Sequence, residues 1–149
     1  MEKAFDFALE DASGKVVKLS DFLGKKVVIY FYPKDNTPGC TKQACAFKAS
    51  YDYFIKNDIV LMGISKDGNK SHENFAKKYD LPFILLSDPD NKIASIYGIV
   101  KEKKLYGKTY MGVVRSTFII NEEGYIEKVM EKVKPDTNPK DVIDYLEGK

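Results

Sequence analysis

The order of apolar and polar positions along the chain predicts strands and helices in alternation. Phe5-Asp6-Phe7-Ala8-Leu9 alternates, Asp11-Ala12-Ser13-Gly14 turns, and Val16-Val17-Lys18-Leu19 returns, which reads as an N-terminal hairpin. Ser20-Asp21-Phe22-Leu23-Gly24 reads as a single helical turn closed by glycine. Val27 to Tyr32 is a continuous apolar run, as expected of a strand covered on both faces. A helix then opens at Thr37-Pro38 and is expected to run to about Asn57. Ile59 to Ile64 is a second buried strand, Ser71 to Tyr79 a helix with Ser71 as its N-cap, and Phe83 to Leu86 a short strand after Pro82. Asp88-Pro89-Asp90 turns into a helix through Tyr97, stopped by Gly98. Lys101 to Met111 reads as a lysine-rich loop or irregular segment. Thr117 to Ile120 is a strand, Asn121-Glu122-Glu123-Gly124 a hairpin turn into Tyr125 to Val133, and Asn138 or Thr137 caps a last helix, Lys140 to Glu147. This order implies an α/β fold of βαβ units, a largely parallel sheet and a closing antiparallel hairpin. No linker, repeat or low-complexity tract interrupts it, so residues 1–149 are expected to form one domain.

The stretch around which the rest is organised runs from Tyr30 to Cys45. Thr37 is a good N-cap and Pro38 suits the first helical position, which puts Cys40 in the first turn. Free backbone N–H groups and the positive end of the helix dipole favour an anion there, and a cysteine so placed is held more readily as the reactive thiolate. Cys40, Ala44, Phe47, Tyr51 and Phe54 share one helical stripe expected to face the core. Cys45 lies near Lys42 and Lys48 on the wetter side. Five residues along a helix rotate a side chain by about 500° and separate the two Cα atoms by about 8.6 Å. That exceeds the roughly 7 Å limit for a disulfide. If the two cysteines form a redox pair, the first turns of the helix must unwind in each cycle.

Composition narrows the chemistry. With 44% hydrophobic and 31% charged residues in 149, the chain is of ordinary globular make-up. Its net charge of +2 makes no case for nucleic acid or a membrane surface. No apolar run approaches a membrane span, and Met1-Glu2-Lys3 leads directly into the folded pattern without a signal peptide. Two cysteines five apart are not an extracellular disulfide framework, so a cytoplasmic redox pair fits better. Arg115 is the one arginine among 24 basic residues. Every other basic position accepts lysine, and a planar five-donor guanidinium is irreplaceable where two-point contact is needed.

These residues carry a resemblance. Pro33-x-x-x-Thr37-x-x-Cys40 resembles the active-site motif of peroxiredoxins. The longer Tyr30-Phe31-Tyr32-Pro33-Lys34-Asp35, Thr37-Pro38-Gly39-Cys40-Thr41 and Ala44-Cys45 resemble the bacterioferritin-comigratory-protein, or PrxQ, branch. Arg115-Ser116-Thr117-Phe118 is similar to the peroxiredoxin arginine segment. Gln43 departs from the branch, which usually carries Glu there; the hydrogen-bonding shape is kept and the charge lost, so a tuning effect is expected. The resemblance implies a thioredoxin fold with an N-terminal β-hairpin and an inserted strand–helix unit, its mixed central sheet flanked by helices. It implies a thiol peroxidase without cofactor or metal. Cys40 would attack the hydroperoxide and become a sulfenic acid. Thr37, the Cys40 backbone N–H and Arg115 would supply donors, and Pro33 would shield the sulfur. Cys45 would close a 40–45 disulfide that a thioredoxin-type dithiol reopens. A monomer is also implied.

Other readings compete. Thr37 as a cap only, Pro33 as a turn only and both cysteines as small buried apolar groups are compatible with the same pattern. His72, the sole histidine, sits on a polar helix and reads as solvated, not as a partner of Cys40. Two cysteines and one histidine are too few for a zinc site. Asp88 and Asp90 read as caps. A thioredoxin-like thiol–disulfide oxidoreductase is disfavoured by the absence of C-x-x-C. A non-catalytic redox sensor that changes partners on unwinding is the alternative from another class.

Overall fold

The computed structural model describes residues 1–149. Nine strands and five α-helices follow one another: β1 Ala8–Asp11, β2 Val16–Lys18, β3 Lys26–Phe31, α1 Pro38–Ala49, α2 Tyr51–Lys56, β4 Ile59–Ser65, α3 Asn69–Tyr79 and β5 Ile84–Ser87. The second half holds α4 Lys92–Ile96, β6 Val100–Leu105, β7 Lys108–Val113, β8 Ser116–Ile120, β9 Ile126–Met130 and α5 Asn138–Leu146. Seven strands make one sheet in the order β2-β1-β5-β4-β3-β8-β9. Only β3–β4 and β4–β5 pair in parallel, so the sheet is mixed where the alternation predicted a largely parallel one. The difference arises because β8 lies antiparallel against β3.

β3 is the centre of the molecule. Its uninterrupted apolar run is explained by cores on both sides: Val27, Ile29 and Phe31 face one, Val28 and Tyr30 the other. Ala94 and Tyr97 from the α4 segment close the first face, with Phe7, Leu9 and Val17 of the N-terminal hairpin. Phe47 of α1, Phe54 of α2, Phe75 of α3 and Val142 of α5 close the second. This is the thioredoxin-type arrangement with an extra hairpin at one edge.

Several boundaries differ from expectation. The cysteine helix does not run unbroken to Asn57; Ser50, at φ −101° and ψ 4°, divides it into α1 and α2. The stripe still holds, with Cys40, Ala44, Phe47 and Phe54 buried and Tyr51 half-buried. α3 begins at Asn69 behind Gly68, and Ser71 lies inside it instead of capping it. Residues 101–111 are not an irregular loop but the body of the β6–β7 hairpin, turned by Tyr106 and Gly107 at φ +53° and +78°. Two successive left-handed residues are the tight turn that suits a hairpin's twist. β9 is shorter than the expected Tyr125 to Val133. Asp88 is the cap it was read to be: its carboxylate accepts from the Ile93 and Ala94 N–H groups at 2.9 and 3.0 Å.

Candidate active site

β3 ends at Phe31, and residues 32–37 carry the chain over the carboxyl edge of the sheet into α1. Thr37 is the N-cap by backbone conformation, φ −86° and ψ 154°, with Pro38 following. Its hydroxyl makes no cap bond. It donates instead to the Lys34 carbonyl at 2.9 Å, which closes the turn behind it. The first helical bond runs from Thr41 N–H to the Thr37 carbonyl at 2.8 Å. The Cys40 N–H therefore remains free to donate at the helix mouth. Cys40 itself is 1% exposed, sealed beneath the first turn, and half-buried Pro33 stands at the start of the loop. Cys45, half-buried, lies in the same uninterrupted helix, and both are free thiols.

Arg115 reaches this edge through strand pairing. β8 runs antiparallel to β3 with Ser116 opposite Phe31, so the residue before β8 falls beside the carboxyl end of β3. The segment is pinned on both sides: Val114 N–H donates to the Ile99 carbonyl at 2.8 Å, and the Arg115 carbonyl accepts from Val133 N–H at 3.1 Å. The guanidinium then lies over the first turn of α1. A Cβ at position 39 would stand 3.1 Å from Arg115 Nη2, so Gly39 makes room for it. A glycine inside a helix start costs helix stability, and that cost is the signal in the sequence that a close approach occurs there.

Gln43 holds the arginine. Arg115 Nη1 donates to Gln43 Oε1 at 2.6 Å, and Gln43 Nε2 donates to Asn138 Oδ1 at 3.0 Å. Thr117 Oγ1 donates to the same Asn138 oxygen at 2.8 Å. Gln43, Thr117 and Asn138 are fully buried. Asn138 was read only as a candidate cap; it is a strut between α5, β8 and α1, and its Nδ2 has no partner. Lys103, on the hairpin that was read as a loop, comes close as well, its ammonium donating to the Val113 carbonyl at 2.6 Å. Burial, and then the charge of Arg115, hold that ammonium below the ordinary lysine range, with Cys40 acting in the opposite sense.

Aromatic residues wall the site from below. Tyr30 stacks on Phe47 with centroids 4.6 Å apart. Burial, with the Cys40 sulfur adding to it, pushes the Tyr30 phenol well above its ordinary range, and its hydroxyl has no partner. His72 is the plainest departure from expectation. It is not solvated but fully buried, bonded to Asp35 and to the Leu86 carbonyl. An apolar face beneath a polar helix surface concealed it, since one histidine amid Lys, Ser, Glu and Asn carries no periodic signal of burial.

A helix-mouth cysteine facing a lone arginine at the edge of a thioredoxin-type sheet is matched by a family model. Residues 1–129 match the AhpC/TSA family. This chain is a peroxiredoxin. The enzyme is 48% identical over 145 residues to the putative peroxiredoxin bcp of Coxiella burnetii, covering 97% of this chain and 96% of that one. It is 48% identical over 133 residues to peroxiredoxin Bcp of Bacillus subtilis, covering 89% and 85%. Among solved structures, the bacterioferritin comigratory protein of Xanthomonas campestris superposes with a TM-score of 0.91 at 37% identity, covering 97% of this chain and 92% of that one. The PrxQ of Xylella fastidiosa gives 0.91 at 30% identity over 99% and 96%. The enzyme thus has the thioredoxin-type peroxiredoxin fold and is a thiol-dependent peroxidase of the bacterioferritin-comigratory branch. No helix is long and apolar enough to cross a membrane.

Proposed function

We propose that this peroxiredoxin reduces hydrogen peroxide and alkyl hydroperoxides at Cys40 and recycles through a Cys40–Cys45 disulfide reduced by a thioredoxin-type dithiol. The observation that carries the reading is the placement of Arg115, fixed by Gln43 over Gly39 and so beside the mouth of the helix that bears Cys40. A structure of the Xanthomonas relative is described for alkyl peroxide reduction, which supports the substrate class.

The Cys40 sulfur, as thiolate, attacks the outer oxygen of the O–O bond. A S–O bond forms, the O–O bond breaks, and the electron pair leaves on the inner oxygen, which takes a proton to become water or alcohol. Negative charge moves from sulfur toward the leaving oxygen. The Cys40 N–H and the Arg115 guanidinium stabilise it from fixed positions. Thr37 acts differently from the donor role implied by resemblance. With its proton given to the Lys34 carbonyl, its oxygen accepts the peroxide O–H and orients the substrate. Pro33 shapes the loop and keeps water from the sulfur.

Cys45 then attacks the sulfenic sulfur and expels water. In the intact helix the pair lies beyond bridging range, so α1 unwinds first. Exchange with a dithiol restores both thiols. Residues 1–149 act as one domain, supported by the single seven-stranded sheet that both ends of the chain enter. A monomer in the cytoplasm is the corresponding state, a reducing compartment being the one in which the dithiol that reopens the bridge is at hand.

A thioredoxin-coupled peroxide assay tests this. Cys40→Ser is expected to be inactive. Cys45→Ser is expected to form one equivalent of sulfenic acid and then fail to turn over with thioredoxin. Full activity in Cys40→Ser would end the reading.

A further inference from the structure

A second group of buried polar side chains lies beneath the loop that leads into α1, and the chemistry above does not use it. Asp35 is 4% and His72 0% exposed. His72 Nδ1 stands 2.7 Å from Asp35 Oδ2, and Nε2 stands 2.9 Å from the Leu86 carbonyl oxygen. The Tyr32 hydroxyl donates to Asp35 Oδ1 at 2.6 Å, and Ser71 Oγ donates to Asp35 Oδ2 at 2.8 Å. The Asp35 N–H donates to Asp67 Oδ2 at 2.8 Å, and Ser65 Oγ donates to the same oxygen at 2.7 Å.

Counting protons decides the state of the pair. A carbonyl oxygen only accepts, so Nε2 carries hydrogen. An ionised carboxylate also only accepts, so the 2.7 Å contact needs a second proton, on Nδ1 or on Asp35. A neutral imidazole beside an ionised carboxylate would supply one proton where two are required. With both, the pair is neutral as a whole, the form in which a buried acid and base persist together. The titratable groups that face it are Tyr32, the residue after β3, and Asp67 from the turn after β4. α3 and β5 present Ser71 and the Leu86 carbonyl, neither of them charged.

We propose that Asp35 and His72 are positioning residues for the peroxide chemistry: sharing that proton, they clamp residues 33–37 onto α3 and β5 and keep this loop fixed while α1 unwinds beyond it. The proposal rests on the reading of Cys40 as the reacting sulfur. The loop carries Pro33 and Thr37, and Asp35 ties it to Tyr32 at its start, to α3 and to the turn after β4. Unwinding therefore starts after Thr37. Three residues from a fixed point span at most about 10 Å when extended, so the Cys40 sulfenic acid stays close to its site. Cys45, farther along the released segment, makes the longer journey.

The chain has one histidine, so nitrogen–proton NMR of its ring is unambiguous. In the reduced full chain two slowly exchanging protons are expected, one on Nε2 and one between Nδ1 and Asp35. A single proton, or a ring whose protons exchange as in free imidazole, overturns the clamp. Hydrogen exchange on the peroxide-oxidised chain gives the second readout. The Asp35 amide is expected to stay protected while amides 41–45 lose protection at least tenfold. In His72→Gln the Asp35 amide is expected to lose protection too, and the rate of sulfenic acid formation to fall about tenfold. Ser71→Ala removes one bond and keeps the fold, so a two- to threefold fall is expected even if His72→Gln does not fold. Loss of protection at Asp35 in oxidised wild type, or unchanged rates in folded variants, overturns the proposal. Failure of the underlying reading looks different: Cys40 remains unmodified by peroxide although the pair holds both protons.

Discussion

At the scale of single residues, the site depends on Arg115 being held without being neutralised. Gln43 is the residue that does this, because an amide accepts the guanidinium bond and donates onward to Asn138 with no net charge. Glutamate at 43 would keep the bond to Arg115 and cancel its charge. It would also set a carboxylate oxygen against Asn138 Oδ1, unless Asn138 turned its free Nδ2 inward and gave up the bond from Thr117. Gln43→Glu is therefore expected to fold and to form sulfenic acid about three- to fivefold more slowly, a change of roughly 1 kcal/mol in barrier. Gln43→Ala, which leaves the guanidinium unsupported, is expected to slow the step about a hundredfold, as misplacement of a charge-stabilising group does. Stopped-flow measurement of the burst in both variants checks the ordering; equal rates would show that Arg115 needs no support. The departure at 43 was visible in the sequence, and its partner was not, since 95 positions separate Gln43 from Asn138.

At the scale of elements, local patterns were read well where burial was one-sided or complete, and poorly where it was absent. β6 and β7 are exposed along most of their length, so no apolar alternation marked them, and four lysines obscured a hairpin. The N-terminal hairpin shows the opposite case. Its turn is written in side chains: Asp11 Oδ1 accepts from Ser13 N–H at 2.9 Å, Ser13 Oγ at 2.7 Å and Lys15 N–H at 3.0 Å. Partial burial acts to raise the Asp11 carboxyl, and the bonds from Ser13 and Lys15 outweigh it, leaving the group below the ordinary carboxylate range. A carboxyl depressed on folding adds stability above its unfolded value, near pH 4, and that stability is lost as pH falls through the folded value. Asp11→Ala is expected to lose about 1 kcal/mol at pH 7, the usual worth of such turn bonds. The gap between the variant and wild type should shrink on going from pH 7 to acid strong enough to protonate the folded carboxyl. Urea melts at the two pH values check this, and a gap that persists in acid would rule out the carboxylate as its source.

At the scale of the whole molecule, catalysis and structure make opposite demands on α1. The helix packs Cys40, Ala44 and Phe47 into the core beneath β3 and must nonetheless release its first turns. Oxidation by one equivalent of peroxide is expected to lower far-UV helical signal by about two turns, reversibly on adding dithiol, with no loss in Cys45→Ser. Undiminished helicity in a protein shown to contain the 40–45 bridge would contradict the geometry. The sequence by itself settled whatever depends on neighbours along the chain. It placed Cys40 in a first helical turn and Cys45 out of its reach, and it marked β3 as doubly covered. Those conclusions follow from helix pitch, capping and periodicity, which act over a few residues. Tertiary structure alone decided that β8 runs antiparallel to β3 and so delivers Arg115 to the helix mouth. It alone joined Gln43 to Asn138 and buried His72 against Asp35. Contacts between distant segments are chosen by how whole faces pack, and no local pattern of residues contains that choice.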